Sequence, residues 1–565
     1  MPAWRLGLVA FVVGAGTALV LTHPLILHPT STVLDDGTLD CFQFVWNVWW
    51  LRASVVDLHV NPFFTRHLYY PEGVSLLFHT LSASLGFVSI PLQLVLPHGQ
   101  VTAHNLLVIA APALIVVTTA LLAHEVTGDP WAALAAGCMA TVTGAIVWFL
   151  PIIYLTATYL VAAVLWAWWR LHRLRRGRDV VLVLGLLATL VFASQEFAMM
   201  ALLILAMDSA GRLVAPRALG LPAAWWRGTF ATWAVAAIGL GALAAVASLN
   251  PGAPPPIKQL LLGSAHLTAF VFPPWLVPPA VSFGMVMYLG TVPLLLVATT
   301  AWLGGRRAVF WALVTVALLL MACGPFVGLS HPLLAFGSVA PNDLRQVPAG
   351  HVRGPYWLAL KVVPFLRVFR GAYRWVTVAE IALAVLAATG VAGLRARLAA
   401  SRARAVVGVA VVAAALVVGF LEVRGRVNRI IPATLPDAYA AVRDDPEPSA
   451  ILELPTGLTQ QVFTNLASRY MFYQTEHGKY LLEGTVARLA PGAHALVSRR
   501  FTTFTELPWV KYVVLHRDLL DVAFPVSRDQ MAQVETILAT EGTLVVRDGP
   551  LEIYRLATFR RDVVR

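Results

Sequence analysis

Three carboxylates stand close together near the start of the chain, in the run Leu34-Asp35-Asp36-Gly37-Thr38-Leu39-Asp40. A carboxylate at a water–lipid boundary can serve as a general base, drawing the proton from an attacking hydroxyl. The same run also reads as a solvated turn, because Asp-Gly favours turns. A second group is Arg367, Arg370 and Arg374. Spacings of three and four put these arginines on one helical face, and the planar guanidinium fork suits phosphate oxygens. Bulk anionic headgroups or a structural salt bridge would use them in the same way. Glu196 interrupts an apolar run and is a candidate to bind an acceptor or a metal, or else a hydrated hairpin tip. Lys258 is a weaker binding candidate, as are His266, Arg345, Arg353 and Lys361; each also reads as a solvated loop charge. His59, His67 and His79 are too irregularly spaced to make a convincing metal set. His79 is kept as a binding candidate against the plainer reading of an interfacial hydrogen bond. Cys41, Cys138 and Cys323 give neither a disulfide framework nor a paired metal spacing.

These residues are set in a very apolar chain. Of 565 residues, 58% are hydrophobic and 12% charged, against about 25% charged in an average soluble protein. The mean hydropathy is +0.74. This excludes a single soluble globular enzyme and excludes disorder, and predicts a polytopic α-helical membrane protein. The net charge of +12 is accounted for by basic loops between apolar spans, not by a nucleic-acid partner. Spans are predicted at 6–27, 101–124, 130–150, 152–169, 228–248, 281–302, 308–326, 374–394 and 404–422. The stretch 179–207 is too long for one span and predicts two helices meeting at Ser194-Gln195-Glu196, since a mid-bilayer carboxylate is costly. The total is about eleven. The first of them is read as a membrane helix and not a removed signal peptide.

The arginines at 170–178, 212–227, 306–307 and 395–404 mark loops that the positive-inside rule keeps on one side. If 81–97 lies in the outer interface without crossing, all four share the side of Arg5. That topology places the N-terminus in the cytoplasm. It places 28–100, the 194–196 tip, 249–280, 327–373 and the tail outside a plasma membrane. The aromatic segment from Phe42 to Leu51 is too short to span and predicts a helix lying in the interface.

The composition changes at residue 424: the last 142 residues hold 33 charged ones. The domains expected are a membrane domain over 1–423, which includes the loop 28–100, and an extracytoplasmic accessory domain over 424–565. Helix-like runs at 435–442, 461–473 and 530–538, with strand-like runs at 450–454, 512–515, 543–546 and 551–554, predict a small α/β fold. Its most polar cluster is Gln474-Thr475-Glu476-His477-Gly478-Lys479, which could hold an acceptor or serve structure alone.

One long loop after the first span, opening with acidic residues and continuing into an aromatic helix, resembles the GT-C superfamily of membrane glycosyltransferases. The group includes the protein O-mannosyltransferases and other enzymes that use polyprenyl-phosphate sugars. The likeness to a prokaryotic branch is carried by several short runs. These are Asp36-Gly37-Thr38-Leu39-Asp40, Gln43-Phe44-Val45-Trp46-Asn47, Tyr70-Pro71-Glu72-Gly73, Met287-Tyr288-Leu289-Gly290, Phe369-Arg370-Gly371-Ala372-Tyr373-Arg374 and Tyr473-Gln474-Thr475-Glu476-His477-Gly478-Lys479. The sequence departs from that branch at Ile153-Tyr154-Leu155-Thr156, where a His-Asn pair is expected, and at Gly371-Ala372, where proline is common. The resemblance implies a GT-C-like fold and transfer of a sugar from a polyprenyl-phosphate donor to a lipid, glycan or protein acceptor outside the membrane. It implies Asp36 as the base, with Asp35 and Asp40 as alternates or acceptor binders. It leaves a divalent cation open and implies no other cofactor. Two further readings stand beside it: a transporter or flippase of lipid-linked glycans, favoured by Glu380 within a span, and a catalytically silent scaffold of the same fold.

Overall fold

The computed structural model describes residues 3–77, 79–249, 256–276, 287–337, 343–363, 366, 369, 371–424, 429–456, 465–486, 502–519 and 528–564. Among these, seven helices are long and apolar enough to cross a membrane: Trp4–Leu21, Gly99–Thr127, Gln195–Val214, Trp226–Val246, Gly305–Ala322, Ala372–Arg397 and Ser401–Val423. The chain divides into two compact units. One joins Met1–His23 to Val108–Asn428; the other joins Pro24–Leu107 to Arg429–Arg565.

The first unit is helical. Its helix Pro130–Thr141 opens on Asp129, whose side chain accepts from the backbone N–H of Trp131 and Ala132 at 2.9 Å each, with Pro130 in the first turn. The span expected over 130–150 is broken. The helix stops at Thr141, and Thr143 caps a new helix, Gly144–Phe149, by accepting from the N–H of Ile146. The stretch 179–207 forms two helices, Gly177–Ala193 and Gln195–Val214, separated by Ser194. The 281–302 span is described only as Thr291–Leu303, its first residues lying outside the described set. Small residues allow close helix packing here. A Cβ on Gly393 would come within 2.0 Å of the Leu303 carbonyl oxygen.

The basic loops of this unit meet at one end. Arg173 pairs with Glu125 at 2.7 Å and Arg395 with Asp129 at 2.9 Å. Arg397 donates to the Trp302 carbonyl, and the Trp225 N–H donates to His172 Nδ1. The segments expected on the opposite side also meet one another. The Tyr373 N–H donates to the Gly263 carbonyl at 2.9 Å, and Thr268 Oγ1 donates to the Leu329 carbonyl at 2.7 Å.

The second unit is built on a five-stranded sheet in the spatial order Gly542–Asp548, Leu551–Leu556, Val510–His516, Ala450–Leu454, Tyr480–Leu481. The first three strands are antiparallel and the last three parallel. Four of the five cover the expected strands. The helices Leu466–His477 and Arg528–Glu541 overlap the expected ones. The run 435–442 instead forms a 3-10 turn, Asp437–Tyr439, and a single helical turn, Ala440–Arg443.

The loop after the first span contributes to this unit's core. Its strand Thr32–Asp35 pairs antiparallel with Arg429–Pro432. The helix Asp40–Arg52 does not lie in an interface: every residue from Cys41 to Leu51 is buried. It packs on Leu466–His477 and on Ala83–Val95, with Phe42 and Phe472 stacked at 4.9 Å. A helix without a broad polar face belongs in a core, and its indole N–H groups find partners there as buried tryptophans need. Trp46 Nε1 donates to Gln474 Oε1 at 2.7 Å and Trp50 Nε1 to the Pro62 carbonyl at 2.9 Å. The helix Ala83–Val95 has 13 residues, about 20 Å of rise, too short for a hydrocarbon core of about 30 Å. It exposes Val88, Leu94 and Val95.

Candidate functional site

The acidic run forms a tight, over-determined turn. Gly37 takes φ +94° and Leu39 φ +66°. The first suits a residue without Cβ; the second strains a leucine. Hydrogen bonds hold both in place. Asp35 Oδ1 accepts from the Leu39 N–H at 2.9 Å. Asp36 Oδ1 accepts from the Thr38 N–H at 3.0 Å and from Thr38 Oγ1 at 2.5 Å.

The three carboxylates have different surroundings. Asp35 is buried and faces Arg429, with Oδ2 3.1 Å from Nη2 and 3.2 Å from Nε. It ties the loop strand to the tail strand that it pairs with. Asp40 opens its helix and accepts from Asn465 Nδ2 at 2.9 Å. Asp36 is half-buried, and its hydrogen bonds are confined to its own turn. Burial pushes its carboxyl above the usual carboxylate range, Thr38 opposes this, and the Asp35 charge adds to it. A carboxylate of raised proton affinity is a stronger base in its ionised form.

His79 lies inside the second unit, where Nε2 is 3.1 Å from Asn47 Oδ1. Burial lowers its pKa to about 3, and that of His67 to about 4, so both rings are neutral near pH 7. The polar cluster of the tail is a joint. Gln474 Nε2 donates to the carbonyls of His67 and Lys479 at 2.6 and 2.7 Å, and its Oε1 takes the Trp46 indole. With these contacts made, Gln474 is engaged in structure and not presented to an acceptor.

The remaining candidates belong to the first unit. Glu196 is not a hydrated tip: it is 3% exposed and pairs with Arg374 at 3.0 Å. The tip is hidden because the turn Ala372–Arg374, just before helix Trp375–Arg397, folds onto it. Arg374 precedes that helix instead of continuing a helical face from the other arginines. Arg367 and Arg370 lie outside the described residues. Lys258 is exposed on the short helix Ile257–Leu262. Among the described residues no group of three or more His, Cys, Asp or Glu could hold a metal ion.

Arg429 and Asn465 were not candidates from sequence. They gain their meaning from partners hundreds of positions away. No protein-family model matches the chain, and no curated protein is significantly similar to it.

Proposed function

We propose that the chain is an integral-membrane glycosyltransferase that moves a sugar from a polyprenyl-phosphate donor to an acceptor hydroxyl on the extracytoplasmic side, inverting the anomeric carbon. The observation that carries this reading is Asp36: a half-buried carboxylate, held by its own turn, close after an apolar helix and raised in proton affinity. It takes the acceptor proton as the oxygen attacks the anomeric carbon. The bond to the lipid phosphate breaks with its electron pair, and phosphate leaves without needing a proton from a second carboxylic acid. One carboxylate therefore suffices, unlike the pair used in most glycoside hydrolysis. Arg370 and Arg367 are proposed to hold the donor phosphate. Arg374 is a poorer candidate for that role, because Glu196 cancels its charge.

A second reading, transport of a lipid-linked glycan, is favoured by Glu380. Its carboxylate is buried within a span and accepts from Thr143 Oγ1 at 3.0 Å, beside the break between helices. Buried carboxylates and broken helices are common in transport paths. Purified protein in liposomes, given radiolabelled polyprenyl-phosphate sugars, separates the two. Transfer of label onto a new acceptor supports the enzyme; movement of intact labelled lipid between leaflets without transfer supports transport.

A further inference from the structure

In the first unit, the loop after helix Gln195–Val214 and the junction of Thr291–Leu303 with Gly305–Ala322 border an open cleft of about 600 Å³. Arg217 comes from the loop, Arg306 and Arg307 from the junction, and the described lining residues include no Asp or Glu. The two segments touch at Gly220, where φ is +61°. A Cβ there would come within 2.7 Å of the Arg307 backbone nitrogen, so glycine lets the backbones meet and gathers the three arginines at one opening. Arg307 is held in place by donating from Nη1 to the Val126 carbonyl. Arg217 and Arg306 are exposed and, among the described residues, make no ion pair or side-chain hydrogen bond. Other arginines at this end are neutralised where they stand, Arg173 by Glu125, Arg212 by Asp208 and Arg395 by Asp129.

The surface beside the cleft is apolar. Arg306, Val309, Leu313 and Val316 follow one another at spacings of three, four and three, so they share one face of Gly305–Ala322. The three apolar members are exposed, as are Leu213, Val214 and Trp302 at the neighbouring helix ends. Both Gln195–Val214 and Gly305–Ala322 are of spanning length, so this stripe runs from the arginines along a helix that can cross a bilayer. Arg306 and Arg307 also sit in the first turn of their helix, where positive side chains oppose the helix dipole and no acidic residue offsets them. The two features together select the occupant. A soluble anion would use the arginines and leave the apolar stripe unused. A zwitterionic lipid would bring a cation of its own to a cleft already positive. An anionic phospholipid matches both, its phosphate oxygens meeting the guanidinium forks and an acyl chain covering the stripe. Basic pockets between membrane helices bind headgroups of this kind, and about 600 Å³ lies in the usual size range of a ligand site.

We propose that the cleft of Arg217, Arg306 and Arg307 binds the phosphate headgroup of an anionic phospholipid, with one acyl chain lying along Val309, Leu313 and Val316. The site is separate from the acidic turn of Asp36 and stands whether the chain transfers sugars or transports lipids.

The test titrates the full chain, in micelles of an uncharged detergent, with three probes: phosphatidylglycerol, phosphatidylcholine with the same acyl chains, and water-soluble glycerol 3-phosphate. Bound lipid is counted by native mass spectrometry. The wild type should bind phosphatidylglycerol about tenfold more tightly than phosphatidylcholine, and glycerol 3-phosphate more weakly than either. Arg217→Gln and Arg306→Gln should each weaken phosphatidylglycerol by about tenfold, the order expected for one charge-assisted hydrogen bond, and leave phosphatidylcholine unchanged. Their melting temperatures without added lipid should hold, because both side chains are exposed and unpaired. Arg178→Gln, an exposed arginine of another basic loop, should bind all three probes as the wild type does. Equal binding of the two lipids by the wild type overturns the proposal, as does full phosphatidylglycerol affinity in both cleft variants. An equal loss in Arg178→Gln would show bulk attraction of headgroups to basic loops and overturn it. Glycerol 3-phosphate binding as tightly as phosphatidylglycerol would make the cleft a site for soluble anions and overturn the assignment to lipid.

Discussion

Asp35, Asp36 and Asp40 share one short run but not one environment, and the difference gives each a separate prediction. Asp35 is buried against Arg429 and caps the Leu39 N–H. Asp35→Ala should destabilise the second unit by about 1–3 kcal/mol, the usual cost of orphaning buried partners, seen as a lower melting temperature. An unchanged melting temperature would show that the Arg429 contact carries nothing. Asp36 makes a kinetic prediction. Its folded pKa is raised by burial, and the base must be ionised. The acid limb of kcat/KM should therefore bend above the pH of an ordinary aspartate, about 3.9, and Asp36→Asn should abolish that limb. A limb at or below the ordinary value in the wild type would remove Asp36 from the role of base. Sequence marked this run as chemically interesting. It could not rank the three carboxylates, because the groups that distinguish them, Arg429 and Asn465, lie 394 and 425 positions away.

At the scale of elements, short-range signals were legible and packing partners were not. The strand Ala450–Leu454 coincides with its expected run, because a short apolar run such as Ala-Ile-Leu-Glu-Leu is local information. The helix Asp40–Arg52 was equally visible as an aromatic segment. Its place in a core was not, since burial depends on the tail helix Leu466–His477, which arrives more than 400 residues later. Gln474 joins the two. Gln474→Leu leaves the Trp46 indole N–H and the Lys479 carbonyl without this partner, while the His67 carbonyl keeps the Leu481 N–H, and should cost about 1–3 kcal/mol. The readout is the midpoint of chemical denaturation followed by tryptophan fluorescence; no shift would mean the joint is not structural. Acid should weaken the same unit. His67, His79 and His477 have folded pKa values lowered by burial to about 4, 3 and 3, against about 6.5 in an unfolded chain. Between these limits the unfolded chain binds more protons, so stability falls as pH falls from about 6.5, by up to about 1.4 kcal/mol per pH unit for each ring. A denaturation midpoint that stays flat from pH 7 to 4.5 would contradict this.

Across the whole molecule, composition alone indicated a helical membrane protein, and the structure contains seven helices of spanning length among the described residues. The remaining expected spans were harder to read. Hydropathy averages over the break at Val142 and Thr143, whereas the backbone obeys the Thr143 cap. The boundary at residue 424 marks a change of composition, but compact packing also draws residues 24–107 into the tail's unit, a long-range fact that composition does not encode. The positive-inside rule predicts a cytoplasmic loop at 170–178 and a tail outside, so a cysteine placed near Arg175 and one placed in the tail at Asp548 should react differently with an impermeant thiol reagent added outside intact cells. The tail site should label and the loop site should not; the reverse would move every candidate residue to the cytoplasmic side. The central claim, base catalysis of sugar transfer by Asp36, is tested most directly by single-turnover transfer from a radiolabelled polyprenyl-phosphate sugar. Wild type, Asp36→Asn and Asp40→Asn are compared at saturating donor. The account predicts a loss of about 10²–10⁴ in rate for Asp36→Asn, with donor affinity and melting temperature kept, and a smaller loss for Asp40→Asn. Near-normal transfer by Asp36→Asn would contradict it.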